Sequence, residues 1–285
     1  MSELARRVLF SVIAIPLAVG VIWQGGAWLA TLLSIIAALA AWELFRIARA
    51  GGVAPFDVAG IVLSAAIPLA VHAHYLRVFT PTMAMLALVP LILLAAAIWF
   101  RGVGGRPLLA VAVTMFGAIY SGGMLAFGYA LRYHDYAVGA AAGVALVALP
   151  LALTWGTDIA AYFVGRALGK KKLIPSVSPG KTVAGAIGGL AAAVLIAWAY
   201  EAFVLRPVAQ LGMRLHHVVL FGILVSIAAQ VGDLAESLIK REAGVKDSSH
   251  LIPGHGGVLD RFDSLLFVLP VAYLLLGWML IFAPR

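Results

Sequence analysis

The chain has no cysteine, so disulfide bridges, thiolate nucleophiles and Cys-ligated zinc are excluded. It is also poor in charge. Asp, Glu, Lys and Arg together make up 11% of its 285 residues, and only 12 of these are acidic. A water-soluble domain averages about 25% charged and about 45–50% apolar residues, whereas this chain is 64% apolar. One core of that size does not hide so much apolar surface from water, so lipid is the expected solvent. Inverted repeats of the kind that mark many transporters are not seen either.

What is present is a succession of apolar runs. Nine of them approach the roughly 20 residues that a membrane helix needs. They cover roughly residues 8–23, 27–46, 57–76, 83–100, 107–131, 137–165, 183–205, 216–239 and 262–283. Arg6 and Arg7 precede the first run as they would in a signal peptide, but no small-residue cleavage site leads into a soluble domain, so it is kept as a span. The expected fold class is all-α: a polytopic integral membrane protein with about nine transmembrane helices. About five spans fall in residues 1–135. The C-terminal region, 136–285, has about four, with cytoplasmic loops 166–182 and 240–262 and a polar cavity expected on the cytoplasmic side.

The basic residues report topology. With a cytoplasmic N-terminus, 15 of the 20 Lys and Arg fall on inside segments. Arg77, Arg132, Arg206, Arg214 and Arg285 fall outside. That asymmetry is the positive-inside pattern, and an odd number of spans puts the C-terminus outside. The formal net charge of +8 then suggests anionic lipid or nucleotide as a partner, and nucleic acid is not expected.

Acids cluster where chemistry is expected. Six of the twelve (Asp233, Glu236, Glu242, Asp247, Asp260 and Asp263) lie within 31 residues, where even spacing would place one or two. A charge in hydrocarbon costs roughly 2.5–3.5 kcal/mol on insertion scales, so such residues face a cavity or one another and tend to be functional. Asp233, Glu236, Ser237, Lys240 and Arg241 fall at i, i+3, i+4, i+7 and i+8, one face of a helix. A turn-rich loop follows, with Gly244, Pro253, Gly254, Gly256 and Gly257. Asp260 and Asp263 then open the last span, where the helix dipole favours anions. Carboxylates from two helix ends with oxygen-only ligands describe a hard-cation site such as Mg²⁺. Lys, Arg and His interleaved with them supply phosphate donors, and Gly256 and Gly257 allow a backbone N–H to approach phosphate closely. Such a site suits phosphoryl or nucleotidyl transfer.

A second constellation precedes the seventh span. Asp158 lies in an apolar run, followed by Arg166, Lys170 to Lys172, and Ser178-Pro179-Gly180-Lys181-Thr182. Gly-Lys-Thr invites a P-loop reading, but that motif needs Gly where Pro175 stands, so it is rejected. Lys181, bracketed by Ser178 and Thr182, is read as a phosphate ligand. Lys170 to Lys172 are read as a positive-inside anchor. Glu43 is given a structural role, pairing with Arg46 or Arg49. His72, His74, His134, His216 and His217 are also read as structural.

The run Ser237-Leu238-Ile239-Lys240-Arg241, with Lys246-Asp247 and Leu251 through Asp263, resembles the signature of the phosphatidate cytidylyltransferases, also called CDP-diacylglycerol synthases. The resemblance extends upstream to Gly232-Asp233, to Ser176 through Thr182, and to Asp158 through Arg166. It departs at Val183-Ala184, where the family often has Trp-Glu, and at Gly180, where Lys is common. It implies that the phosphate of phosphatidate attacks the α-phosphorus of CTP, giving CDP-diacylglycerol and diphosphate. The catalytic residues implied are Asp233, Asp260, Ser237, Lys240 and Arg241. Substrate would be held by Lys181, Ser178, Lys246, Asp247, His255, Gly256, Gly257, Arg261 and Asp158, and Mg²⁺, as one or two ions, by Asp233, Asp260 and Asp263. The expected partners are CTP, phosphatidate, membrane lipid and a second copy of the chain. The expected location is the bacterial inner membrane. Two other readings remain: a related cytidylyltransferase acting on another lipid phosphate, such as an isoprenoid-ether lipid, and an ion-coupled transporter.

Overall fold

A computed structural model of the chain describes residues 3–249, 251 and 256–283. Among them, nine helical segments fall on the nine expected spans. They are α1 (Glu3–Gln24), α2 (Gly26–Ala50), α3 (Asp57–Tyr75), α4 (Met83–Phe100), α5 (Pro107–Arg132), α6 (Gly139–Leu168), α7 (Val183–Ala209), α8 (Leu215–Glu242) and α9 (Leu259–Met279). Eight of these, α2 to α9, are long and apolar enough to cross a membrane, and α1 contributes a shorter apolar stretch, Ala14–Gln24. The protein is an all-α polytopic membrane protein. Four short strands accompany the helices: β1 (Lys172–Ile174), β2 (Ser178–Thr182), β3 (Leu211–Met213) and β4 (Leu280–Phe282). They form two antiparallel pairs, β1 with β2 and β3 with β4.

The chain divides into two compact units. One comprises Met1–Tyr129 with Ile239–Arg261, the other Ala130–Leu238 with Phe262–Arg285. The segment 239–261, which the sequence grouped with the C-terminal spans, belongs to the N-terminal unit.

In the first unit α2 is the central element. It buries Leu29, Leu33, Ala37, Ala40, Ala41, Leu44 and Phe45 on one stripe, as a helix packed on one side should. Close approach depends on small residues, as is usual where lipid tails compete equally for apolar surface. The Phe45 ring lies against Gly60 of α3 and Gly117 of α5, where any Cβ would collide with it. Ser64 of α3 donates its hydroxyl to the Ala37 carbonyl at 3.0 Å. In α5 a π-helical turn, Ile119–Gly123, brings Gly122 against the Ser64 backbone.

In the second unit α6 and α7 pack through Gly165, Gly185, Gly188 and Gly189. Gly222 sets α8 against the Val194 backbone of α7, and Gly232 sets it against Asp263 and Ser264 of α9. A polar ladder crosses this apolar packing. Thr157 donates to Ser226 at 3.1 Å, and Gln230 donates to Ser226 at 3.2 Å and to the Ala186 carbonyl at 3.3 Å. The β3–β4 pair requires α7 and α9 to end on the same side of this unit, as alternating spans would.

His134, between α5 and α6, is 6% exposed and packs on Tyr136 and Tyr273. Its Nδ1 accepts from the Tyr136 N–H at 3.3 Å. Desolvation holds its pKa below the ordinary 6.5, with Asp135 and the Tyr273 backbone acting in the opposite direction. The unfolded chain therefore takes up this proton first. Stability is full above about pH 6.5 and falls as pH drops, levelling off below the folded pKa. Thermal melts in detergent at pH 7.5 and 5.5 should show a smaller acid-induced loss for His134→Gln than for the parent.

Candidate active site

Two clusters of paired carboxylates, one in each unit, hold most of the residues singled out in the sequence. In the first unit Asp260 sits in the first turn of α9, where the dipole favours an anion. Its Oδ1 receives Lys240 Nζ at 2.7 Å, and both side chains are only 11% exposed. Its Oδ2 accepts from the Gly257 N–H at 2.8 Å and the Ser248 hydroxyl at 2.9 Å. Gly256 adopts φ +80°, where L side chains are strained, and a Cβ there would come 2.8 Å from Asp260 Oδ2. The two glycines thus form the wall against which Asp260 is held, and the Gly257 N–H is directed at that carboxylate.

Glu43 overturns the sequence reading. It does not pair with its helical neighbours: Arg46 stacks over Trp42 at 4.8 Å and Arg49 pairs with Asp57. Instead Glu43 is 0% exposed and reaches more than 200 positions along the chain. Its Oε1 accepts from the Ser249 hydroxyl at 2.5 Å and the Val258 N–H at 2.9 Å. Its Oε2 accepts from the Ser248 hydroxyl at 3.0 Å and the Leu259 N–H at 2.6 Å. The orphan N–H groups at the start of α9 are thereby capped from another helix. A signal was available in the sequence, since Glu43 is an acid inside an apolar span. Its partners are too remote for spacing to show them.

In the second unit Asp233 on α8 is bound by Lys181 Nζ at 2.7 Å and faces the Ser237 hydroxyl at 3.4 Å. Local structure places Lys181. The β1–β2 hairpin returns the chain to Thr182, whose extended backbone and Oγ1 cap α7 by accepting the Gly185 N–H at 3.1 Å. Asp158 on α6 is within electrostatic reach of both Asp233 and Lys181. Asp263 accepts the Ser264 N–H at 2.6 Å and lies where Gly232 meets α9. Glu236 is 1% exposed.

The other candidates lie at the surface. Arg241, Lys246, Asp247 and Arg261 are exposed, and Ser178 is half-buried. Arg241 donates to the Val245 carbonyl at 3.2 Å. His255 lies outside the described residues. Among the described residues no three His, Asp or Glu converge as a ready metal cage.

Gly257 tests the packing of the first cluster. A Cβ there would collide with the Ser248 hydroxyl and lie 2.5 and 2.6 Å from the two Glu43 oxygens. Gly257→Ala should therefore lower stability by about 1–3 kcal/mol, read as a reduced melting temperature of the purified protein in detergent.

The profile described as "Cytidylyltransferase family" matches residues 5–279. A phosphatidate cytidylyltransferase of Bacillus subtilis is 45% identical over 135 residues, which is 47% of this chain and 48% of that protein. One of Brucella suis is 48% identical over 132 residues, 46% of this chain and 47% of that protein. The chain thus spans about half the length of these curated relatives. A phosphatidate cytidylyltransferase of Synechocystis is 30% identical over 295 aligned residues, covering 94% of each chain. From its first helix to its last, this chain belongs to the cytidylyltransferase family.

Proposed function

We propose that the chain is a phosphatidate cytidylyltransferase, converting CTP and phosphatidate into CDP-diacylglycerol and diphosphate. The observation that carries the reading is the pair of Asp–Lys couples, Asp233 with Lys181 and Asp260 with Lys240, whose carboxylates stand on long apolar helices. Family membership and the relatives matched over half or nearly all of their length support the same reading. One substrate is a lipid and the other a water-soluble nucleotide, so polar groups at the ends of membrane helices are what the reaction requires.

In the reaction a phosphate oxygen of phosphatidate forms a bond to the α-phosphorus of CTP. The bond from that phosphorus to the diphosphate breaks, and diphosphate leaves with the electron pair. Four phosphate groups must approach against mutual repulsion, so positioning and charge neutralisation supply most of the catalysis. Lys181 and Lys240 bring ammonium groups to the phosphate oxygens. Arg241, Lys246 and Arg261 add exposed cations, and the hydroxyls of Ser178 and Ser237 add donors. Asp233 and Asp263 in the second unit, and Asp260 in the first, would supply carboxylates for Mg²⁺, which when bound neutralises phosphate charge and polarises the reacting phosphorus. The N-terminus faces the cytoplasm, where CTP is found, in a bacterial inner membrane.

The topology has its own test. Reporters fused after Lys172 or Lys246 should read cytoplasmic, and one fused at Arg285 should read external. An external signal at Lys246 would remove access to CTP and with it the proposed activity.

The chemistry is tested on the purified protein. CTP or dCTP should be used in preference to ATP, and chelator should abolish turnover. Asp233→Asn and Asp260→Asn should each lower turnover by roughly 100-fold or more, about 2.7 kcal/mol of barrier, while the protein still folds. Glu236→Gln should lose less, because at i+3 it projects about 60° away from Asp233 around the helix. Parent-like turnover by either Asn variant would remove that residue from the catalytic set.

A further inference from the structure

Glu43 lies outside the sequence signature, yet it is the most completely enclosed carboxylate among the described residues of the first unit. We propose that Glu43 is a positioning residue for Asp260, acting through Ser248. The inference rests on the catalytic reading of Asp260. The Ser248 hydroxyl is 3.0 Å from Glu43 Oε2 and 2.9 Å from Asp260 Oδ2, and the Ser248 backbone N–H also faces Asp260 at 3.2 Å. One residue therefore touches both carboxylates. A second route runs through the main chain. Glu43 holds the N–H of Leu259, the residue before Asp260, at 2.6 Å, which fixes the backbone from which Asp260 projects.

A simple helix cap would need only the Val258 and Leu259 N–H groups. It would not require the serine bound by Glu43 to be the one that also donates to Asp260. Nor would it require the Gly257 N–H to be directed at Asp260 while the glycine itself lies against Glu43. The carboxylate needs to be an acceptor at both oxygens, because each faces a backbone N–H and a hydroxyl. An amide presents an NH₂ to one of these donor pairs. Replacing Ser248 by Ala is milder, since three of the four donors to Glu43 remain.

The test uses the full-length protein in detergent, with turnover per folded molecule measured for Glu43→Gln, Ser248→Ala, Asp260→Asn and the two doubles with Asp260→Asn. Expected are losses of at least tenfold for Glu43→Gln and Ser248→Ala alone. In the Asp260→Asn background neither change should lower the residual turnover by more than about twofold, since residues acting through one group do not add. Melting temperatures measured alongside separate folding from positioning. A purely structural cap would lower the melting temperature and leave turnover per folded molecule at the parent level. Should Glu43→Gln fail to fold, Ser248→Ala decides alone. Equal fold losses in the parent and Asp260→Asn backgrounds would overturn the proposal. So would a folded Ser248→Ala variant with parent-like turnover beside an impaired Asp260→Asn, which leaves the catalytic reading standing. A parent-like Asp260→Asn overturns the reading itself.

Discussion

A carboxylate placed among apolar helices has to be met by donors, and the polar architecture of this protein follows from that requirement. Leaving one partner of a buried ion pair alone costs roughly 3–5 kcal/mol, a large share of the stability of any domain. Glu43 is matched by two hydroxyls and two backbone N–H groups. Asp260 is matched by Lys240, Gly257 and Ser248, and Asp233 by Lys181. Each match fixes a piece of chain that would otherwise be free to move: the turn before α9, the end of α8, and the hairpin before α7.

The same pairs are suited to exchange. In the proposed reaction a divalent cation would compete with the lysines for carboxylate oxygens, and phosphate oxygens would compete with the carboxylates for the lysines. Both exchanges keep charge matched, so substrate and metal can enter together without leaving an ammonium or a carboxylate uncompensated. Glu43 differs in kind. Its four donors are neutral and come from the protein, so it can hold the turn before α9 whether or not substrate is present.

Much of this was legible in the sequence because hydrophobic runs and intramembrane charges are local signals. All nine spans matched helices, Asp158 and Asp233 stood out as acids inside apolar runs, and Lys181, Lys240 and Asp260 stood out as charges at the ends of such runs. What sequence reasoning could not reach was pairing at a distance. Arg46 and Arg49 stood beside Glu43 in the chain and looked sufficient, but an i+3 neighbour is useful only if it faces the same way. Trp42 and Asp57 took those cations instead. The strands of three to five residues carried too few positions for a period to show. The split of α8 and α9 between two compact units was invisible for another reason: hydrophobic periodicity ends a segment at a helix terminus, whereas packing can change partners partway along it.

The glycines of the signature illustrate how a motif can suggest one chemistry and conceal its mechanics. Gly256 and Gly257 suggest a phosphate cradle because backbone N–H groups approach anions closely where no side chain intervenes. Here the anion met by Gly257 is the protein's own Asp260, and a Cβ on either glycine would displace a carboxylate oxygen or the serine between the two acids. Gly232 acts similarly one helix away, letting α8 touch α9 beside Asp263. These three positions exclude a side chain because protein carboxylates or backbone already fill the space. In the proposed reaction, recognition of a phosphate by this loop would be a second demand on residues whose first constraint is the placement of Asp260.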